Sequence, residues 1–219
     1  MDKLRLRFSK KGRSVYISHL DLMRTMQRAF LRAGYSLRCS EGFNPHPVIS
    51  ILLPLGVGVS SECELMDFQL TGDSDLRELP ARLTAALPEG IAALEAYPGG
   101  RKAKELKWLR VAGIFEYDGR DGAEMRGALA DFYARDSIVI RRKTKRGEGE
   151  SDVVPAIREI SFSPAARGVR LEAVISAQEP TLNPEHLVNA LRQLAPDLAP
   201  DHAEFCRLEV YDEKMRAFR

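Results

Sequence analysis

The sequence predicts an α+β protein made of two successive halves, each an antiparallel sheet with crossover helices. Three observations carry this. Several short runs alternate apolar and polar residues, the period of two that marks a half-buried strand. Between them lie stretches whose apolar residues recur every three or four positions, as on amphipathic helices. The order of strands and helices is nearly the same on either side of PGGRKAKELK, at 98–107. The chain has 219 residues, 44% of them hydrophobic, enough for one large core or two small ones.

In the first half, KLRLRF (3–8) alternates and reads as a strand, followed by a basic turn at 9–13 and a short β-branched run at 15–17. Ser18 opens a helix with Asp21 three residues on, a spacing that lets the hydroxyl and the carboxylate satisfy free backbone N–H groups. Leu22, Met23, Met26, Ala29, Phe30 and Ala33 form its apolar stripe, and Gly34 stops it. Strands are predicted at 35–39, 48–53, 63–70 and 91–96, a helix at 76–87, and a loop at SEGFNPHP (40–47), whose glycine and prolines cannot continue a ladder. Residues 1–98 therefore read as a ferredoxin-like (βαββαβ) half with one additional strand.

Residues 99–107 read as a linker and 108–219 as a second ferredoxin-like half: strand 109–117, helix 123–133, strand 137–142, a polar hairpin tip at 143–152, strands 157–162 and 169–175, helix 184–194 capped by Asn183, and strand 205–211. Trp108 and Tyr117 read as core. The whole is predicted as two tandem ferredoxin-like halves with antiparallel sheets, duplicated in fold without a residue-level repeat.

Net charge is only +2, yet residues 1–40 carry ten Lys/Arg against two acids, 41–100 two against nine, and 101–146 thirteen against seven. Such asymmetry predicts one basic and one acidic face, and a basic face raises the prospect of nucleic acid. Cys39, Cys63 and Cys206 lie far apart, as reduced thiols do. No apolar run reaches the roughly 18 residues of a membrane span, and the basic start lacks the apolar stretch of a secretory signal. The expectation is a cytoplasmic protein with no membrane partner.

Arg24, Arg28 and Arg32 follow an i, i+4, i+8 spacing, so they line one helix face. They read either as a solvated face or as a phosphate-tracking stripe continuous with Lys10, Lys11 and Arg13. Arg141, Arg142 and Lys143, with Lys145 and Arg146, extend it as a basic hairpin. In the 40–47 loop, Phe43 offers a stacking face, Asn44 an amide and His46 a titratable ring, a mix suited to single-stranded nucleotides. The same loop also reads as a rigid turn fixed by Pro45 and Pro47. Ser18, His19 and Asp21 do not read as a triad, because two of them are helix-cap positions. The G-x-G of LPLGVGVSSE has no following helix or lysine and is no phosphate loop.

ISHLDLMRTMQRAFLRAG followed by SEGFNPHPVISILLPLGVGVSSE resembles the radical-SAM-linked protein family, a bacterial domain of unknown function. The likeness covers most of the chain and is densest at 7–70. Members of that family look like stand-alone proteins or C-terminal extensions of a cobalamin-binding radical SAM protein, which implies a radical SAM partner and RNA or ribosome-related work. A radical SAM cluster needs a C-x3-C-x2-C run, which this sequence lacks, so the resemblance places that chemistry on the partner and implies no cofactor here. The leading expectation is an accessory protein, without a complete catalytic constellation, that binds RNA or a ribonucleoprotein and presents it to that partner. Two alternatives stand beside it: a metal-independent RNA-processing endonuclease using His19 or His46 as acid/base, and a purely protein-binding structural adaptor.

Overall fold

A computed structural model describes residues 3–72, 75–144 and 147–219. The fold is mixed α+β with antiparallel pairing and four α-helices among the described residues. The chain divides into two compact units, Met1–Ala103 with Phe218–Arg219, and Lys104–Ala217. No helix among the described residues is long and apolar enough to cross a membrane.

The first unit runs β1 (Leu4–Lys10), α1 (His19–Arg32), β2 (Ile49–Leu52), β3 (Ser60–Phe68), α2 (Leu79–Ala86) and β4 (Ile91–Pro98). β1 pairs antiparallel with β3 and β4, and β2 with β3, giving the strand order β4-β1-β3-β2. The helix α1 starts where its cap allows, since Ser18 Oγ accepts from the Asp21 N–H. It ends at Gly34, whose φ of 83° suits glycine alone at low cost. Leu22, Met26 and Phe30 of its stripe pack with Leu6 and Phe8 of β1, Phe68 of β3, and Leu79 and Leu83 of α2. The Phe30 and Phe68 rings meet at 5.0 Å between centroids.

Two predicted elements differ. Residues 35–39 form no strand, only the isolated bridges Leu37↔Leu70 and Cys39↔Pro47, so the additional strand is absent. The run at 15–17 belongs to a 3-10 turn, Gly12–Tyr16, and its end.

The expected division into a basic and an acidic face is corrected by the pairing itself. Because β1 lies between β3 and β4, the basic N-terminal segment folds against the acidic one. Lys3 and Arg5 reach Asp67 at 2.6 and 2.7 Å, Arg7 reaches Glu95 at 3.5 Å, and Lys11 reaches Glu62 at 2.9 Å. Arg5 is wholly buried, donates also to the Arg101 carbonyl, and lies over the Phe218 ring.

The second unit runs β5 (Trp108–Glu116), α3 (Gly122–Tyr133), β6 (Val139–Thr144), β7 (Gly147–Asp152), β8 (Ile157–Ala165), β9 (Gly168–Ser176), α4 (Glu185–Leu194) and β10 (His202–Tyr211). Its main sheet is antiparallel in the order β10-β5-β9-β8. Asp121 caps α3, and Asn183 Oδ1 accepts from the Glu185 N–H at the start of α4. Tyr133 stacks on Phe162 and donates to the Leu187 carbonyl, joining α3, β8 and α4. Tyr117 is buried as expected, whereas Trp108 is half-buried beneath Arg158. The predicted polar tip at 143–152 is largely strand, with β6 and β7 in register from Val139↔Asp152 to Thr144↔Gly147.

Candidate nucleic-acid interface

Three neighbouring pieces of the first unit present exposed functional groups: the Gly12–Tyr16 turn, the outer face of α1, and the loop 40–47. The loop is clamped at its base. Ser40 N–H donates to the His46 carbonyl at 2.8 Å, His46 N–H donates to Ser40 Oγ at 3.2 Å, and Val48 N–H donates to the Arg38 carbonyl at 2.8 Å. His46 Nδ1 lies 3.0 Å from Ser40 Oγ and 3.3 Å from the Asn44 carbonyl oxygen. A carbonyl only accepts, so a proton on Nδ1 is what lets the ring bond the Asn44 carbonyl. The turn rigidity expected of the prolines is thus reinforced by side chains. At the tip, Phe43 is fully exposed, with Asn44 exposed beside it.

On α1, Arg24 and Arg28 are exposed, and Arg28 has no hydrogen bond or ion pair among the described residues. Arg24 donates to Asp21 Oδ1 at 3.2 Å. The Ser18 hydroxyl donates to the other Asp21 oxygen at 2.7 Å. That hydrogen bond first, and Arg24 after it, hold the Asp21 carboxyl below its usual range. The Ser18 hydroxyl is therefore committed to Asp21, and His19 stands exposed at the first helical position without a hydrogen bond among the described residues. Arg13 is exposed in the preceding turn, and the root of the loop flanks α1 near Gln27, Arg28 and Leu31.

The rest of the predicted stripe is placed elsewhere. Lys10 is only 2% exposed because it closes β1 between Ser61 and Ile91, and Lys11 is paired with Glu62. Arg32 donates to the Ala86 carbonyl at 2.6 Å, fixing α1 to the last residue of α2. Of the stripe, Lys10 is buried, Lys11 and Arg32 are exposed but engaged, and Arg13, Arg24 and Arg28 stand exposed. In the second unit, Arg141 faces Glu150 at 3.9 Å, Arg142 donates to the Thr181 carbonyl, and Lys143 stands opposite Glu148 in register. The hairpin that was expected to be basic is thus salted with acids across the strand pair. Lys145 and Arg146 lie outside the described residues.

Sequence reasoning missed Tyr16 in the turn and Leu20 and Leu31 on α1, which are 73%, 66% and 74% exposed. Leu20 and Leu31 fall off the buried stripe by helical phase, a signal the spacing did contain. Among the described residues no three His, Cys, Asp or Glu side chains gather into a metal-binding group. Cys39 is exposed, Cys63 buried and Cys206 half-buried.

No curated protein matches the chain. Among solved structures, an unknown protein from Galdieria sulphuraria is 10% identical, with 94% of this chain and 98% of that one covered at a TM-score of 0.25. The acetolactate synthase small subunit from Thermotoga maritima is 12% identical, with 97% and 98% covered at a TM-score of 0.26. At these scores neither bears on fold or function. Residues 3–184 match a family described as uncharacterised and conserved in bacteria, so the chain belongs to the DUF2344 family.

Proposed function

We propose that this chain is a cytoplasmic RNA-binding accessory protein, without catalytic machinery of its own, that presents an unpaired RNA segment to a radical SAM partner. One observation carries the RNA reading: a fully exposed phenylalanine at the tip of a loop clamped at its base, whose root flanks the helix face that holds Arg28, a cation without a partner among the described residues. Aromatic stacking with adjacent cations suits a single strand, at about 1–3 kcal/mol for each stacked base. The radical SAM partner rests on the SHLD and GFNPHP resemblance and on three cysteines whose spacing holds no cluster. The reading of each unit as ferredoxin-like is supported by its strand order, last-first-third-second with two crossover helices.

The test is crosslinking and sequencing of bound RNA on tagged protein from cells, beside a Phe43→Ala control. One dominant RNA species, depleted in the control, is the expected result; no enrichment over background contradicts the reading. A protein-binding adaptor is the second reading, favoured by the exposed Tyr16 and Leu20. It predicts that Leu20→Ser releases a protein partner and leaves RNA capture unchanged.

A further inference from the structure

At the C-terminal end of α1 a cavity of about 350 Å³ opens between the last turns of the helix and the segment that follows. Its shape comes from the helix stop. Gly34 N–H donates to the Leu31 carbonyl and Tyr35 N–H to the Phe30 carbonyl, which turns the chain back beside the helix. The returning segment is then pinned, since the Ser36 carbonyl accepts from both Thr71 N–H and Thr71 Oγ1 and Leu37 bridges Leu70. The Cys39↔Pro47 bridge brings Pro47 in as the opposite wall. The backbone beneath the lining is held by these hydrogen bonds and bridges.

The lining combines two kinds of group. Leu31, Leu37 and Pro47 supply apolar surface on which a flat ring can lie. Gln27, Arg28 and Ser36 also line the cavity, and the Gln27 amide, Arg28 guanidinium and Ser36 hydroxyl have no hydrogen-bond partner among the described residues. An apolar slot with a few convergent, unused polar groups is the pattern of a ligand site, and its volume lies at the small end of such sites. A lipid chain or an apolar side chain of a protein would use the apolar surface alone and none of the three polar groups. A base in a duplex cannot enter, because its edges are paired and its faces stacked, whereas a splayed-out base offers both. The cation at the lining fits the phosphate such a base carries.

We propose that this cavity takes one unpaired nucleobase of an RNA strand, with Gln27 and Ser36 reading its edge and Arg28 on the adjoining phosphate. The proposal rests on the RNA reading above and makes it selective: Phe43 stacks any base, and the cavity chooses one.

The test is fluorescence anisotropy with short labelled homopolymers of A, U and C and with an RNA duplex, on wild type, Gln27→Ala, Leu31→Ala and Phe43→Ala. Gln27 and Leu31 lie outside the core, and circular dichroism checks that each variant is folded. Wild type is expected to prefer one homopolymer by roughly tenfold, the discrimination of one good side-chain pairing with a base edge. Gln27→Ala and Leu31→Ala level that preference, and Phe43→Ala weakens all homopolymers together while keeping it. RNA binding without preference, or a preference that survives both cavity variants, overturns the cavity and leaves the RNA reading intact. Failure of wild type to bind any homopolymer overturns both.

Discussion

Asp67 shows at the scale of one side chain why the charge pattern misleads. Its carboxylate receives the wholly buried Arg5 guanidinium at 2.7 and 3.3 Å and Lys3 at 2.6 Å. Removing one partner of a buried pair leaves an uncompensated charge, which costs far more than the pair contributes. Asp67→Ala is therefore expected to lower stability by about 3–5 kcal/mol, toward the lower figure because the Arg101 carbonyl and the Phe218 ring remain beside Arg5. Urea unfolding checks this, and a loss no larger than that of an exposed pair would refute it. His186 is the second case. Burial first, and the Arg142 charge after it, depress its pKa below the ordinary 6.5, and its Nδ1 is buried without a partner among the described residues. The folded ring stays neutral where the unfolded one takes up a proton. The unfolded state thus binds more protons just below pH 6.5, and stability falls as pH drops through that window. His186→Gln is expected to flatten this limb of the stability profile, and an unchanged slope in thermal melts between pH 5 and 7 would contradict the assignment.

Elements were legible where local chemistry and tertiary packing agree. For α1, the Ser18 cap, the stripe from Leu22 to Ala33 and the Gly34 stop each had a local cause, and the helix stands at His19–Arg32. Residues 35–39 misled because YSLRC alternates like a strand, but the clamp at Ser40 and His46 and the bridge to Leu70 leave it no continuous neighbour. Of the interface, Phe43, Arg24 and Arg28 were legible as exposed groups. The burial of Lys10 and the engagement of Lys11 and Arg32 were not, because each depends on a partner 50 or more residues away in sequence, Glu62 for Lys11 and Ala86 for Arg32 among them. β5 carries a further element-scale constraint. A Cβ on Gly113 would lie 2.9 Å from the Phe205 ring on β10 and 3.2 Å from the Glu204 carbonyl. Gly113→Ala should overpack that strand pair and cost about 1–3 kcal/mol in denaturant unfolding; a neutral or stabilising effect would show that the strands yield.

For the whole molecule, net charge says little about partners. In the first unit Lys3, Arg5, Arg7 and Lys11 pair with acids of its own sheet, Asp67, Glu95 and Glu62. What the unit leaves to solvent on the α1 side includes Arg13, Arg24 and Arg28, the ring of Phe43, and the His46 and Asn44 groups of the clamped loop. An interface of this kind holds a single strand with few phosphate contacts and gains the rest from stacking. The most direct measurement is the salt dependence of single-stranded RNA binding, by anisotropy, for wild type and for Arg13, Arg24 and Arg28 replaced together by Ala. The account predicts measurable binding by wild type and a log K against log[salt] slope smaller by about 2 in the variant, from three lost contacts at about 0.7 each. No binding by wild type, or the same slope in both proteins, would contradict it.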